Sequence, residues 1–110
     1  MKLTDLEPRF LSYEGDPKEW RYATPRADAN GITFVCPKCF EANGMKRPGV
    51  HSVICWDPSV PQSVSPGPGR WEFVGVSFDD LTLRAGSSSV KLEGGCDAHF
   101  FITNGEVTFA

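Results

Sequence analysis

Hydrophobic and polar positions in this chain alternate with a period of two far more often than they recur at helical spacing. Gly31-Ile32-Thr33-Phe34-Val35 is β-branched and aromatic and reads as a strand. Val50-His51-Ser52-Val53-Ile54-Cys55-Trp56 reads as a second, with His51, Val53 and Cys55 on one face and Val50, Ser52, Ile54 and Trp56 on the other. Trp71 to Val76 predicts a third strand, Phe78 to Leu83 a short irregular one, and Ser87 to Glu93 a fourth that carries Val90 and Leu92 inward. At the C-terminal end, Asn104-Gly105 separates Phe100-Phe101-Ile102-Thr103 from Glu106-Val107-Thr108-Phe109. Asn-Gly between two β-rich runs predicts a hairpin, because a type I′ turn needs positive φ at both central residues.

Residues 1–30 carry the least pattern. Leu3, Leu6, Phe10 and Leu11 approach helical spacing, but Pro8 interrupts them, so the segment reads as an extended N-terminal arm packed on the core. Asp16-Pro17-Lys18-Glu19-Trp20 predicts a helical turn with Asp16 as N-cap, and residues 23–30 a surface loop. Residues 41–49 carry turn chemistry. Residues 57–70 contain Pro58, Pro61, Pro66 and Pro68, which rule out a central strand there and predict a long loop. The fold class expected is mostly β with little helix: a small single domain over residues 1–110, built as zinc-ribbon- or Rieske-like β-hairpins joined at a metal site.

A chain of 110 residues has room for one modest core, and its 11 glycines and 9 prolines favour turns over helix. Such a domain usually needs a staple, either disulfides or a metal. The net charge is −3 with no dense Lys/Arg run, which disfavours nucleic acid as a partner because phosphate contacts dominate that affinity. No apolar run approaches a membrane span, and the first residues carry no apolar signal core, so the expected location is the cytoplasm. Thiols stay reduced in that compartment, so paired cysteines are read first as metal ligands.

Two such pairs exist. Cys36-Pro37-Lys38-Cys39 and Cys96-Asp97-Ala98-His99 each set two ligand types two residues apart. Cys36, Cys39, Cys96 and His99 together supply the four ligands of a closed structural Zn²⁺ site, and such a site stabilises rather than catalyses. An iron–sulfur cluster is the alternative cofactor, since thiolate-rich sites also suit iron. Two disulfides lack a secretory context, and a redox dithiol at Cys36–Cys39 lacks a βαβ pattern around it. His51 and Cys55 also have ligand chemistry. Four residues apart on a strand, however, they would lie roughly 13 Å apart and could not share an ion. Either one could still replace His99 or Cys96, but Cys55 reads first as a buried apolar residue and His51 as a histidine hydrogen-bonded beside the ligands.

Several runs resemble an uncharacterised family of small phage and prophage proteins. They are Leu3-Thr4-Asp5-Leu6-Glu7-Pro8-Arg9-Phe10, Val35 to Phe40, His51 to Trp56, Pro66-Gly67-Pro68-Gly69-Arg70-Trp71, Asp80-Leu81-Thr82-Leu83, and Gly95 to Ile102. Bacterial relatives sharing the element Gly95-Cys96-x-x-His99-Phe100-x-Ile102-x-x-Gly105 occur near ubiquitin-like conjugation genes, which implies an accessory role. Cys96-x-x-His99 followed by Asn104-Gly105-Glu106-Val107 is also similar to the second ligand loop of Rieske domains. Cys36-x-x-Cys39 departs from their Cys-x-His first loop, and with it goes the expectation of a two-histidine cluster. No Ser/His/Asp set or carboxylate pair points to catalysis, and Asp79-Asp80 reads as a turn feature. The functional expectation is a non-catalytic, zinc-stapled phage accessory module that contacts a host or phage protein. A Rieske-like or other iron–sulfur redox protein and a zinc-ribbon nucleic-acid binder are the alternatives.

Overall fold

In the computed structural model, which describes residues 1–14, 19–23, 25–66, 69–84, 89–91 and 96–110, nine strands form three antiparallel sheets. The first sheet contains β1 (Arg9–Glu14), β2 (Glu19–Ala23), β3 (Gly31–Val35) and β4 (Ser52–Trp56) in the order β2-β1-β3-β4. β5 (Glu72–Val74) pairs with β6 (Thr82–Arg84), and β7 (Ser89–Lys91), β8 (His99–Thr103) and β9 (Glu106–Phe109) make the third sheet. One α-helix, α1 (Pro37–Ala42), follows β3 directly, with Pro37 at its first turn. The result is a small, mostly-β domain. No helix among the described residues is long and apolar enough to cross a membrane.

The N-terminal region is more regular than its pattern suggests. Leu3–Leu6 form a 3-10 turn that buries both leucines, and the chain then enters the β1–β2 hairpin instead of running as an extended arm. Glu19 and Trp20 belong to β2, and residues 16–18 of the helical turn expected over 16–20 lie outside the described residues. At Glu19 and Trp20, cross-strand pairing with β1 prevails over the local helix signal. The turn region expected over 41–49 begins as the end of α1, and the loop expected over 23–30 contains a 3-10 turn at Arg26–Asp28. Of the strand expected over 87–93, the described residues show β7 at Ser89–Lys91.

The four-stranded sheet is covered on both faces. Phe10, Ile32, Phe34, Val53 and Cys55 point into the main core, where Phe34 meets Phe100 of β8 edge-on with ring centroids 5.9 Å apart. Leu11 and Trp56 point the other way and form a second, smaller core with Val60. The Trp56 ring lies over Gly31, its cross-strand partner, where any Cβ would run into it. The Pro-rich loop supplies the cover for this face. Its shape is held by Arg70, whose guanidinium donates to the carbonyls of Val60, Pro61, Val64, Pro66 and Gly69 over 2.6–3.0 Å. The Trp56 indole N–H donates to the Ser65 carbonyl at 3.0 Å. Over the described residues of this loop, an arginine takes the place of a strand ladder.

The C-terminal hairpin forms where Asn-Gly predicts it, with Asn104 at φ 50° and Gly105 at φ 75°. Its tip is wedged between other elements. The Gly105 N–H donates to Leu81 O, its carbonyl accepts from Leu3 N–H (both 2.8 Å), and the Asn104 N–H donates to Thr82 Oγ1. A Cβ at position 105 would run into the Asp79 carbonyl.

Candidate metal centre

Cys36 ends β3 and opens α1, which brings Cys39 round one helical turn onto the same side. The backbone N–H of Cys39 donates to the Cys36 sulfur, as expected of a knuckle that presents two thiolates to one point. The third cysteine arrives from the other end of the chain. Cys96 precedes β8, and the next residue, Asp97, takes a left-handed conformation (φ 52°) that turns the Ala98 N–H back onto the Cys96 sulfur. Lys38 Nζ donates to the Cys96 carbonyl at 2.5 Å, tying the two turns together.

The histidine in this group is His51, not His99. In the β3–β4 ladder Val35 lies opposite Ser52, and one step further the Cys36 N–H donates to the His51 carbonyl at 2.9 Å. Register therefore places His51 beside Cys36, just before β4 begins. Its Nε2 is 3.4 Å from the Cys96 sulfur, while Nδ1 faces the Ser52 carbonyl at 3.4 Å. A backbone carbonyl at one ring nitrogen is the arrangement that orients the other toward a metal. His99 lies on β8 with its side chain exposed and its ring 6.2 Å from that of Phe101. Ala98, Phe100 and Ile102 are buried, so the strand's period of two turns His99 and Phe101 outward. Three of the four residues expected from spacing are thus brought together, and His51 takes the fourth place.

One ligand atom each from Cys36, Cys39, His51 and Cys96 lies within 4.8 Å of the others. A tetrahedral zinc ion with Zn–S of about 2.3 Å and Zn–N of about 2.0 Å sets its sulfurs about 3.8 Å apart and each sulfur about 3.5 Å from the nitrogen. Here Cys36 Sγ and Cys96 Sγ are 3.7 Å apart and Cys96 Sγ and His51 Nε2 are 3.4 Å apart. A disulfide would bring two sulfurs to about 2.05 Å, and none of the four cysteines is so paired. The donor set therefore fits a single metal ion.

Electrostatics divide the sulfurs into two kinds. Burial pushes the Cys36 thiol up to about 12; the Cys39 N–H works against this, and the adjacent sulfurs of Cys96 and Cys39 add to it. At Cys96 burial also favours the thiol, but hydrogen bonds from the His51 ring, the Ala98 N–H and the neighbouring cysteines outweigh it and bring the pKa down to about 7. Of this contacting pair Cys96 gives up its proton first. Cys55 is fully buried in the main core, where burial alone raises its pKa, and it has no place in the metal group. Comparison with family models, with curated proteins and with solved structures returns no match to this chain.

Proposed function

We propose that this chain is a non-catalytic, zinc-stapled protein-interaction module, with Zn²⁺ held by Cys36, Cys39, His51 and Cys96. The observation that carries this reading is the pair of donor separations, 3.7 and 3.4 Å, matching two edges of one zinc tetrahedron. With four protein ligands the ion keeps no open position for a substrate, so it serves the fold. It joins the β3–β4 hairpin to the strand that follows Cys96, across a sequence separation of 60 residues. An iron–sulfur cluster distributes its ligands over several irons and so spreads them further than the 4.8 Å within which all four donor atoms lie here, which favours one ion instead.

The role as a phage accessory protein rests on the motif resemblance. The surface for a host or phage partner is sought on β2, where Trp20 and Tyr22 are 41% and 50% exposed and pack edge to face at 5.5 Å. Elemental analysis of protein purified under reducing conditions tests the metal: one zinc per chain is expected. Cobalt substitution should then give the intense visible bands of a tetrahedral, thiolate-rich site. Iron with a visible charge-transfer spectrum, or no metal at all, would overturn the reading.

A further inference from the structure

The three metal-site sulfurs differ in their access to solvent. Cys36 is fully buried, whereas Cys96 and Cys39 are half-buried, and Cys96 alone comes from the third sheet's side of the junction. Behind the half-buried Cys96 sulfur, 3.7 Å away, lies the sheltered sulfur of Cys36. Forming a disulfide requires the two sulfurs to close by only about 1.7 Å. These two residues tie the same pair of elements whether a metal or a covalent bond joins them.

The geometry points to a redox-exchangeable staple, in which hydrogen peroxide converts the metal clamp into a Cys36–Cys96 disulfide and releases the ion. This rests on the proposed metal site and adds its regulation. The Cys96 thiolate attacks one peroxide oxygen, the O–O bond breaks, and hydroxide leaves with a sulfenic acid left on Cys96. The Cys36 thiolate then attacks the Cys96 sulfur; the S–S bond forms, the S–O bond breaks and a second hydroxide leaves. Each sulfur gives up one electron and the peroxide takes both, so two thiolates and one peroxide become one disulfide and two hydroxides. The ion, left with Cys39 and His51, has lost half its ligands and departs. What changes shape is α1 and the turn after it, both held at the site through Cys39; the junction between residues 36 and 96 stays closed.

The test starts from zinc-loaded full-length protein whose one-to-one stoichiometry has been measured, so that failure of the metal reading is seen before peroxide is added. Hydrogen peroxide is titrated in while a metallochromic dye reports free zinc, and non-reducing peptide mapping locates the disulfide. Zinc release should track formation of the Cys36–Cys96 bridge, Cys55 should stay reduced, and reductant plus zinc should restore the starting form. Oxidised wild-type protein should still unfold cooperatively on heating, whereas zinc stripped by chelation under reducing conditions should lower the melting temperature. The inference is overturned by a Cys36–Cys39 or Cys39–Cys96 bridge, by sulfinic acid without any bridge, or by zinc retained after peroxide has consumed thiols elsewhere. A Cys55→Ala variant, carrying only the site cysteines, serves as the second sample and should behave like the wild type.

Discussion

Replacing each histidine in turn separates the ligand from the bystander. A structural zinc site contributes an apparent binding free energy of about 10–16 kcal/mol at neutral pH, so removing one ligand of four in His51→Ala should cost about 3 kcal/mol. That corresponds to roughly 10²-fold weaker zinc binding. Because binding and folding are coupled, the same loss should lower the melting temperature of the zinc-loaded protein by about 10–20 °C. His99→Ala removes an exposed side chain on β8 with no part in the donor group, and should change stability by less than about 0.5 kcal/mol. The assay is competitive zinc titration against a calibrated chelator, followed by thermal melts in the presence of excess zinc. If His99→Ala weakens zinc as much as His51→Ala does, the assignment of the fourth ligand is wrong, and with it the account of strand register that produced it.

Other perturbations probe the remaining elements. Gly105→Ala places a Cβ against the Asp79 carbonyl at a φ of 75° and should cost about 2–4 kcal/mol, read as a lowered urea midpoint; an unchanged midpoint would count against the wedged hairpin tip. Arg70→Met leaves five loop carbonyls without their donor and should cost about 2–3 kcal/mol, with hydrogen exchange rising in residues 57–66 while β3 and β8 stay protected. Cys55→Ala should leave one zinc per chain, since Cys55 packs in the core away from the donors; loss of zinc would refute that placement. Zinc affinity should strengthen as pH rises. The Cys36 thiol, up at about 12, must surrender a proton to the metal throughout the working range, and Cys96, at about 7, must do so as well once the pH falls below neutrality. Calorimetry in buffers of different ionisation enthalpy should therefore count more protons released per zinc at about pH 6 than at about pH 8.

Local rules made part of this protein legible and tertiary ones hid the rest. The Asn104-Gly105 turn and the β3 strand follow from backbone chemistry a few residues long, and both form where expected. The three site cysteines are legible because Cys-x-x-Cys and Cys-x-x-His are both ligand spacings. The histidine was not, because two rules of spacing competed. Cys-x-x-His suggests a second knuckle, but buried Ala98, Phe100 and Ile102 fix the phase of β8 and carry His99 to the solvent side. On one strand His51 and Cys55 cannot easily reach the same ion. That exclusion leaves either residue free to be a ligand, and the β3–β4 pairing is what selects His51. A sign is present in the sequence: two strand-like runs flank a segment of turn chemistry, with a cysteine directly after the first and a histidine at the second residue of the other. The 57–70 loop was legible as a loop, but its order depends on contacts between Arg70 and carbonyls up to ten residues away, which no local propensity encodes.

The position of His51 opposite Cys36 has a consequence for how the chain finds its fold. Sliding β4 along β3 by one residue would set Val50 or Ser52 opposite Cys36 and move Val53 and Cys55 to the wrong face. Neither Val50 nor Ser52 offers a nitrogen to a soft metal. A metal ion held by this donor group would therefore distinguish the correct alignment of the two strands from its nearest errors, because a one-residue slip removes a ligand at that ladder rung. Coordination of the proposed ion would thus read the β-pairing: a mis-aligned chain would lack the histidine ligand, and a correctly aligned one would present the full donor set once Cys96 joins it.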